Sequence, residues 1–98
     1  MYNITASIIL SKDVPQPKSN GVKSGYAPHH KFQNIDYLLS GFHKYKDDVI
    51  NFPGETLVAQ IVFPSWKYVA NNINIGDKFE IQEMNRVVGF GFVESIEK

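Results

Sequence analysis

The three histidines of this 98-residue chain, His29, His30 and His43, are its residues best equipped for chemistry, with Asp36, Asp47 and Asp48 nearby in sequence. Imidazole and carboxylate together can ligate a metal or pass a proton. The spacing works against both. Adjacent residues on a strand point to opposite faces, so His29 and His30 cannot easily share an ion. Solvated histidines are the reading this pattern favours, and no metal ligand set is assigned. Asp47-Asp48 stands beside Lys44 and Lys46, which reads as a polar loop. Glycosidase-type chemistry needs a partner carboxylate in a cleft, and none is indicated. The chain has no cysteine, which removes disulfides, thiolate zinc sites and a cysteine nucleophile. No catalytic residue and no cofactor is expected, and the protein is read as a non-enzyme.

A second set of side chains points to recognition. Lys18, Lys23, Lys31, Lys44 and Lys46, with Tyr26, Phe42 and Tyr45, are the basic and aromatic types that make a nucleic-acid face. Ordinary surface lysines over packed aromatics are the favoured reading. Ten basic residues balance ten acidic ones, which argues against a general nucleic-acid binder while leaving room for a local patch. Trp66, Tyr68 and Val69 are the aromatic and apolar types found in partner-binding patches, and core packing under a loop is favoured for them too.

The elements that must position these groups read as strands. Ninety-eight residues make one domain, 1–98, and a hydrophobic fraction of 43% is enough for a core. Ile4 to Leu10 is a first strand. Residues 11–28, with three prolines and two glycines, form a long ordered loop. HHKFQ is a short strand. IDYLLSGFHKY is a helical turn or a strand, with a turn at Ser40-Gly41. TLVAQIVF is a strand, and KFEIQEMN alternates sharply, with Phe79 and Ile81 on one face and Lys78, Glu80 and Gln82 on the other. Met84-Asn85 is a hairpin turn. No segment holds an apolar pattern at helical spacing with caps, so helix content is expected to be low. Five to seven strands point to a small closed barrel or a sandwich. The N-terminus lacks the marks of a secretory signal and no stretch approaches a membrane span, so no membrane association and a cytoplasmic location are expected.

The last strand, RVVGFGFVESI, carries Gly89 and Gly91. Strict alternation puts Val87, Gly89, Gly91 and Val93 on one face and Val88, Phe90 and Phe92 on the other. A glycine in a strand forgoes packing, and it persists where the strand bends or another backbone comes close. A phosphate loop would open onto a helix, whereas these glycines run on into strand, so no nucleotide cofactor is expected.

Four stretches in order resemble the C-terminal, third β-barrel domain of translation elongation factor Tu. Ile8 to Asp13 is similar to the family's first strand and its exit. Ser24 to Pro28 resembles its Gly-Tyr-Arg-Pro element. Phe52-Pro53-Gly54-Glu55 resembles its Met-Pro-Gly-Asp turn. Phe79 to Val93 resembles its final hairpin, with a Glu-Gly-Gly-Arg turn and a Val-Gly-x-Gly-Val strand. The resemblance implies an all-β fold, a small closed antiparallel β-barrel of about six strands, without the GTPase domain or second barrel. Nothing resembles a P-loop, so no GTPase activity is expected.

In the family this domain supports the GTPase domain, touches the T-stem backbone of aminoacyl-tRNA and meets the exchange factor. Carried onto this chain, those contacts imply a partner-binding surface of His29, His30, Lys31, Ser40, Gly41, Glu83, Met84, Asn85 and Arg86. Glu83 and Arg86 match the family. Ala27 replaces its arginine, His29 its glutamine, and Met84 the glycine at which the tRNA backbone comes close. Lys78, Glu80 and Gln82 are polar where the family's barrel would face the GTPase domain. The expected function is a binding module for a protein partner or tRNA-like RNA linked to translation. The alternative is a decoy or immunity-type protein that binds a toxin or effector directed at elongation factor Tu.

Overall fold

β-Branched and apolar residues at alternate positions bury Ile4, Ala6, Ile8 and Leu10 along one face of the first strand, β1 (Ile4–Leu10). A computed structural model describes residues 1–97 and places β1 within one seven-stranded antiparallel sheet. The other strands are β2 (His29–Phe32), β3 (Leu39–Ser40), β4 (Phe42–Tyr45), β5 (Thr56–Val62), β6 (Lys78–Glu83) and β7 (Arg86–Ile96). Their order is β3-β2-β6-β7-β1-β5-β4, and the sheet curls through 242° into a half-barrel. Among the described residues helix is confined to α1 (Trp66–Val69) and a 3-10 turn at Ala70–Asn72, as the lack of helical patterning predicts. No helix among the described residues is long and apolar enough to cross a membrane.

The concave face holds the core. Phe32 packs on Phe79 with ring centroids 4.9 Å apart and meets Phe63 edge-on at 6.0 Å. Trp66 stacks on Phe63 at 6.2 Å, half-buried, and Val69 behind it is buried, while Tyr68 is exposed. Phe79 and Ile81 point inward from β6, and Lys78 points outward, as their alternation requires. The loop 11–28 is anchored midway by a bridge between Val22 and Asn51, which exchange both backbone hydrogen bonds at 2.8 and 2.7 Å.

The two strand glycines make room for neighbours. Gly91 lies opposite Phe79 in register, and a Cβ there would run into the Phe79 ring. A Cβ at Gly89 would lie 2.6 Å from the Ile9 carbonyl oxygen on β1. Close approach is therefore the reason for both. Strict alternation fails at Val88, which is buried beside Gly89 rather than facing out with Phe90 and Phe92. The cause is a bulge: the β6 register shifts between Ile81 and Gln82, so Val88 is the extra residue. A second shift, against β1 between Thr5 and Ala6, leaves Glu94 and Ser95 both exposed.

The described residues form seven strands because the run from Leu39 to Tyr45 is divided. Leu39 and Ser40 pair with β2 at one end of the sheet order, whereas Phe42 to Tyr45 pair with β5 at the other. The ladders leave a gap between β2 and β4, and the chain crosses from one side of it to the other at Gly41. Backbone bonds span that gap: Gly41 N donates to Pro28 O at 3.2 Å, His43 N to Tyr26 O at 2.8 Å, and Gly25 N to His43 O at 2.9 Å.

Candidate functional site

Two features converge at this gap: a hairpin tip carrying charge, and a buried chain of hydrogen bonds beneath it. The tip joins β6 to β7 through Met84 and Asn85, whose φ angles of 49° and 68° put both in the left-handed region. Two such residues in a row are what a tight type I′ hairpin turn demands. Asn85 tolerates this conformation, but a methionine there is uncommon and unfavourable. Met84 is 86% exposed, so no packing interaction compensates for it.

Glu83, at the base of the tip, gathers three partners. Tyr26 Oη donates a short hydrogen bond to Glu83 Oε2. Lys18 Nζ lies 3.1 Å from the same carboxylate, and Arg86 approaches it at 3.6 Å. Burial alone would raise the Glu83 pKa. The hydrogen bonds from Tyr26 and Lys18 and the positive charges of Lys18 and Arg86 outweigh it, so the carboxyl sits below its usual value. Burial, and then the bond to Glu83, push the Tyr26 phenol far up, so it remains a donor.

Behind Tyr26 lies the histidine pair. His30 is 0% and His43 2% exposed, which corrects the solvated reading of these two residues. His29 is exposed, so the strand alternation that separates it from His30 holds. His30 Nε2 and His43 Nε2 are 2.8 Å apart. His30 Nδ1 lies 2.9 Å from Leu39 O, and His43 Nδ1 lies 2.9 Å from Tyr45 Oη. For two neutral rings these contacts fix the protons. Leu39 O only accepts, so His30 Nδ1 carries the hydrogen and its Nε2 accepts from His43 Nε2–H; His43 Nδ1 then accepts from the Tyr45 hydroxyl. With both rings neutral, every ring nitrogen is satisfied.

Electrostatics favours the same state. Burial lowers the His30 pKa to about 4, with the Leu39 carbonyl pulling the other way. Burial, reinforced by His30, holds His43 well below its usual value, and burial raises the Tyr45 phenol. Gly41 has no side chain because His30 fills the space: a Cβ there would lie 2.7 Å from His30 Cε1 and 3.0 Å from Phe63 Cε1.

The residues expected to bind a partner divide accordingly. His29 pairs with Gln82 and with Ser40, which brings β2, β3 and the hairpin tip together on the outside. Glu83, Met84, Asn85 and Arg86 form that tip. His30 and Gly41 are buried and offer no side-chain surface. The Lys31 ammonium is held by the carbonyls of Phe32, at 2.9 Å, and Ile35. Tyr26, Tyr45 and Lys18 complete the site. Their sequence signal was present as basic and aromatic types, but nothing local indicated that a 57-residue separation would close between Tyr26 and Glu83. Among the described residues, no group of three or more His, Cys, Asp or Glu side chains is placed to hold a metal ion.

A second surface lies along β2, β6 and β7. Lys31, Phe32, Lys78, Phe79, Glu80 and Phe90 line an open groove of about 690 Å³. Beside it, Phe90 and Phe92 stand exposed on the convex face, with Ile9 directly opposite Phe90 on β1.

No protein-family model matches the chain, and no curated protein matches it.

Proposed function

We propose that the chain is a non-enzymatic binding module of the kind represented by the third domain of elongation factor Tu, with its hairpin tip as the contact surface. The tip Glu83–Arg86, with His29, Lys31 and Ser40 beside it, is proposed to meet a protein or RNA partner of the translation apparatus. The observation that carries this reading is Met84, an exposed apolar side chain in a conformation suited to glycine. Backbone strain that no packing offsets is characteristic of functional sites. Arg86 and Lys18 add positive charge around it, with Glu83 between them.

Two further observations support the reading. The backbone bonds from Gly25, Gly41 and His43 across the gap support a sheet that closes as the family's barrel does. The groups best suited to proton transfer, His30 and His43, are buried with all four ring nitrogens engaged, which supports binding over catalysis.

Capture from cell lysate on the immobilised protein, read by mass spectrometry and RNA sequencing, tests this function. Enrichment of tRNA or translation proteins is expected, together with its loss in the Met84→Gly variant. A single dominant toxin-like protein supports the decoy alternative instead. Recovery of neither contradicts both.

A further inference from the structure

His30 stands on β2 and His43 on β4, on opposite sides of the gap in the ladders, so their hydrogen bond is a side-chain link across it. Around it run the three backbone bonds from Gly25, Gly41 and His43. The link needs a single hydrogen between the two Nε2 atoms. A first proton can sit on His43 Nδ1, with the Tyr45 hydroxyl turned to accept it, but when both rings are protonated both Nε2 atoms carry hydrogen and two donors face each other at 2.8 Å. The added charge would sit in a site with no carboxylate at hand.

We propose that the seam between β2 and β4 is a proton-triggered latch: closed while a single hydrogen bridges the two imidazoles, opened when both rings are protonated.

The groups facing the pair do nothing to neutralise that proton. From β4 comes the Tyr45 hydroxyl, and from the loop the Tyr26 ring, edge-on to His43 at 5.6 Å between centroids. Phe63 and Phe79 cover His30 with centroids 5.1 and 5.6 Å away. Along β2, His29 adds a further positive charge when protonated. The Glu83 carboxylate is bonded to the far end of Tyr26 and already shared with Lys18 and Arg86. A charged imidazole can regain solvation only by parting from its neighbour. The elements free to move are short, since β3 has two residues and β4 four. The β1–β7 ladder is long and stands in the middle of the sheet order, farthest from the gap. The seam is therefore the part that yields first. It does so whatever binds the hairpin tip.

Amide hydrogen exchange on the intact protein from pH 7 to pH 4, corrected for intrinsic rates, tests the latch. The amides of Gly25, Gly41 and His43 are expected to lose protection below pH 6.5, by about tenfold per pH unit for each ring protonated on opening. The β1–β7 amides should still be protected at the pH where the seam amides exchange freely. Loss of protection in all strands together overturns the proposal, as does a seam that stays as protected as β1 and β7 at pH 4. In the His43→Gln variant, which keeps a donor towards His30 and removes one titrating ring, the seam's pH response should be about halved on a logarithmic scale. An unaltered response overturns the latch. Proton NMR of the His30 and His43 Cε1–H signals gives a second readout, since both rings titrating at their ordinary value near 6.5 while the seam stays closed also overturns it.

Discussion

His30 and His43, thirteen residues apart in sequence, meet Nε2 to Nε2 at 2.8 Å inside the half-barrel. A pair of rings this close tolerates one hydrogen between them, so the two cannot both be charged, and burial favours two neutral rings. Neutrality ties the stability of the fold to pH.

Stability is expected to fall as the solution is acidified through the histidine range. The folded-state pKa of His30 lies below its unfolded value, so the unfolded chain binds more protons below about pH 6.5. The contribution is fully present above that pH and is lost progressively down to about 4. His30 alone accounts for about 3 kcal/mol over this span. Urea unfolding followed by Trp66 fluorescence at pH 7, 5.5 and 4.5 should show a steadily falling midpoint. A midpoint that does not move across this range contradicts the neutral pair.

Tyr26→Phe removes the hydroxyl that donates to the Glu83 carboxylate and should destabilise the fold by about 1 kcal/mol. The Glu83 pKa is depressed, so its stabilisation is present above the usual carboxyl range and disappears only as pH falls through the lower folded value. The Tyr26→Phe deficit should therefore be the same at pH 7 and pH 5.5 and shrink below about pH 4.5. A deficit that shrinks already between pH 7 and 5.5 would assign the contribution to another group.

Alanine at Gly91 places a methyl group in the space of the Phe79 ring, and alanine at Gly41 does the same against His30 and Phe63. Each should cost about 1–3 kcal/mol, because the obstructing atoms belong to packed rings. Ser40→Ala, an exposed neighbour, should change stability by less than about 0.5 kcal/mol. Thermal unfolding of the three variants distinguishes them, and a neutral Gly91→Ala would refute the close approach.

Met84→Gly should make the protein more stable, by about 1 kcal/mol, since glycine adopts φ of 49° without penalty. The same change removes the exposed side chain that the proposed function relies on. A higher unfolding temperature together with weaker partner capture is the expected signature. Lower stability would mean that Met84 is not strained.

Much of this fold is legible in the sequence. The β6 alternation, the hairpin turn at Met84-Asn85 and the low helix content follow from period and turn chemistry. So does the ordered loop 11–28. Val88 was misplaced because a bulge changes the register without changing composition. The division of Leu39 to Tyr45 into two strands was half visible, as the turn signal at Ser40-Gly41. The histidine pair was not legible at all. Strand alternation separates His29 from His30, but it cannot say that the inward ring meets another from a strand across the gap. Long-range closure of this kind, like that of Tyr26 on Glu83, depends on how the sheet curls. Local residue types carry no mark of it.

The contact surface itself is tested most directly by recording amide chemical shifts of the labelled protein as the captured partner is added. Shifts should concentrate at His29, Ser40 and Glu83 to Arg86. Shifts confined to Phe90, Phe92 and Ile9 on the convex face, with the hairpin tip unmoved, would contradict the proposed site.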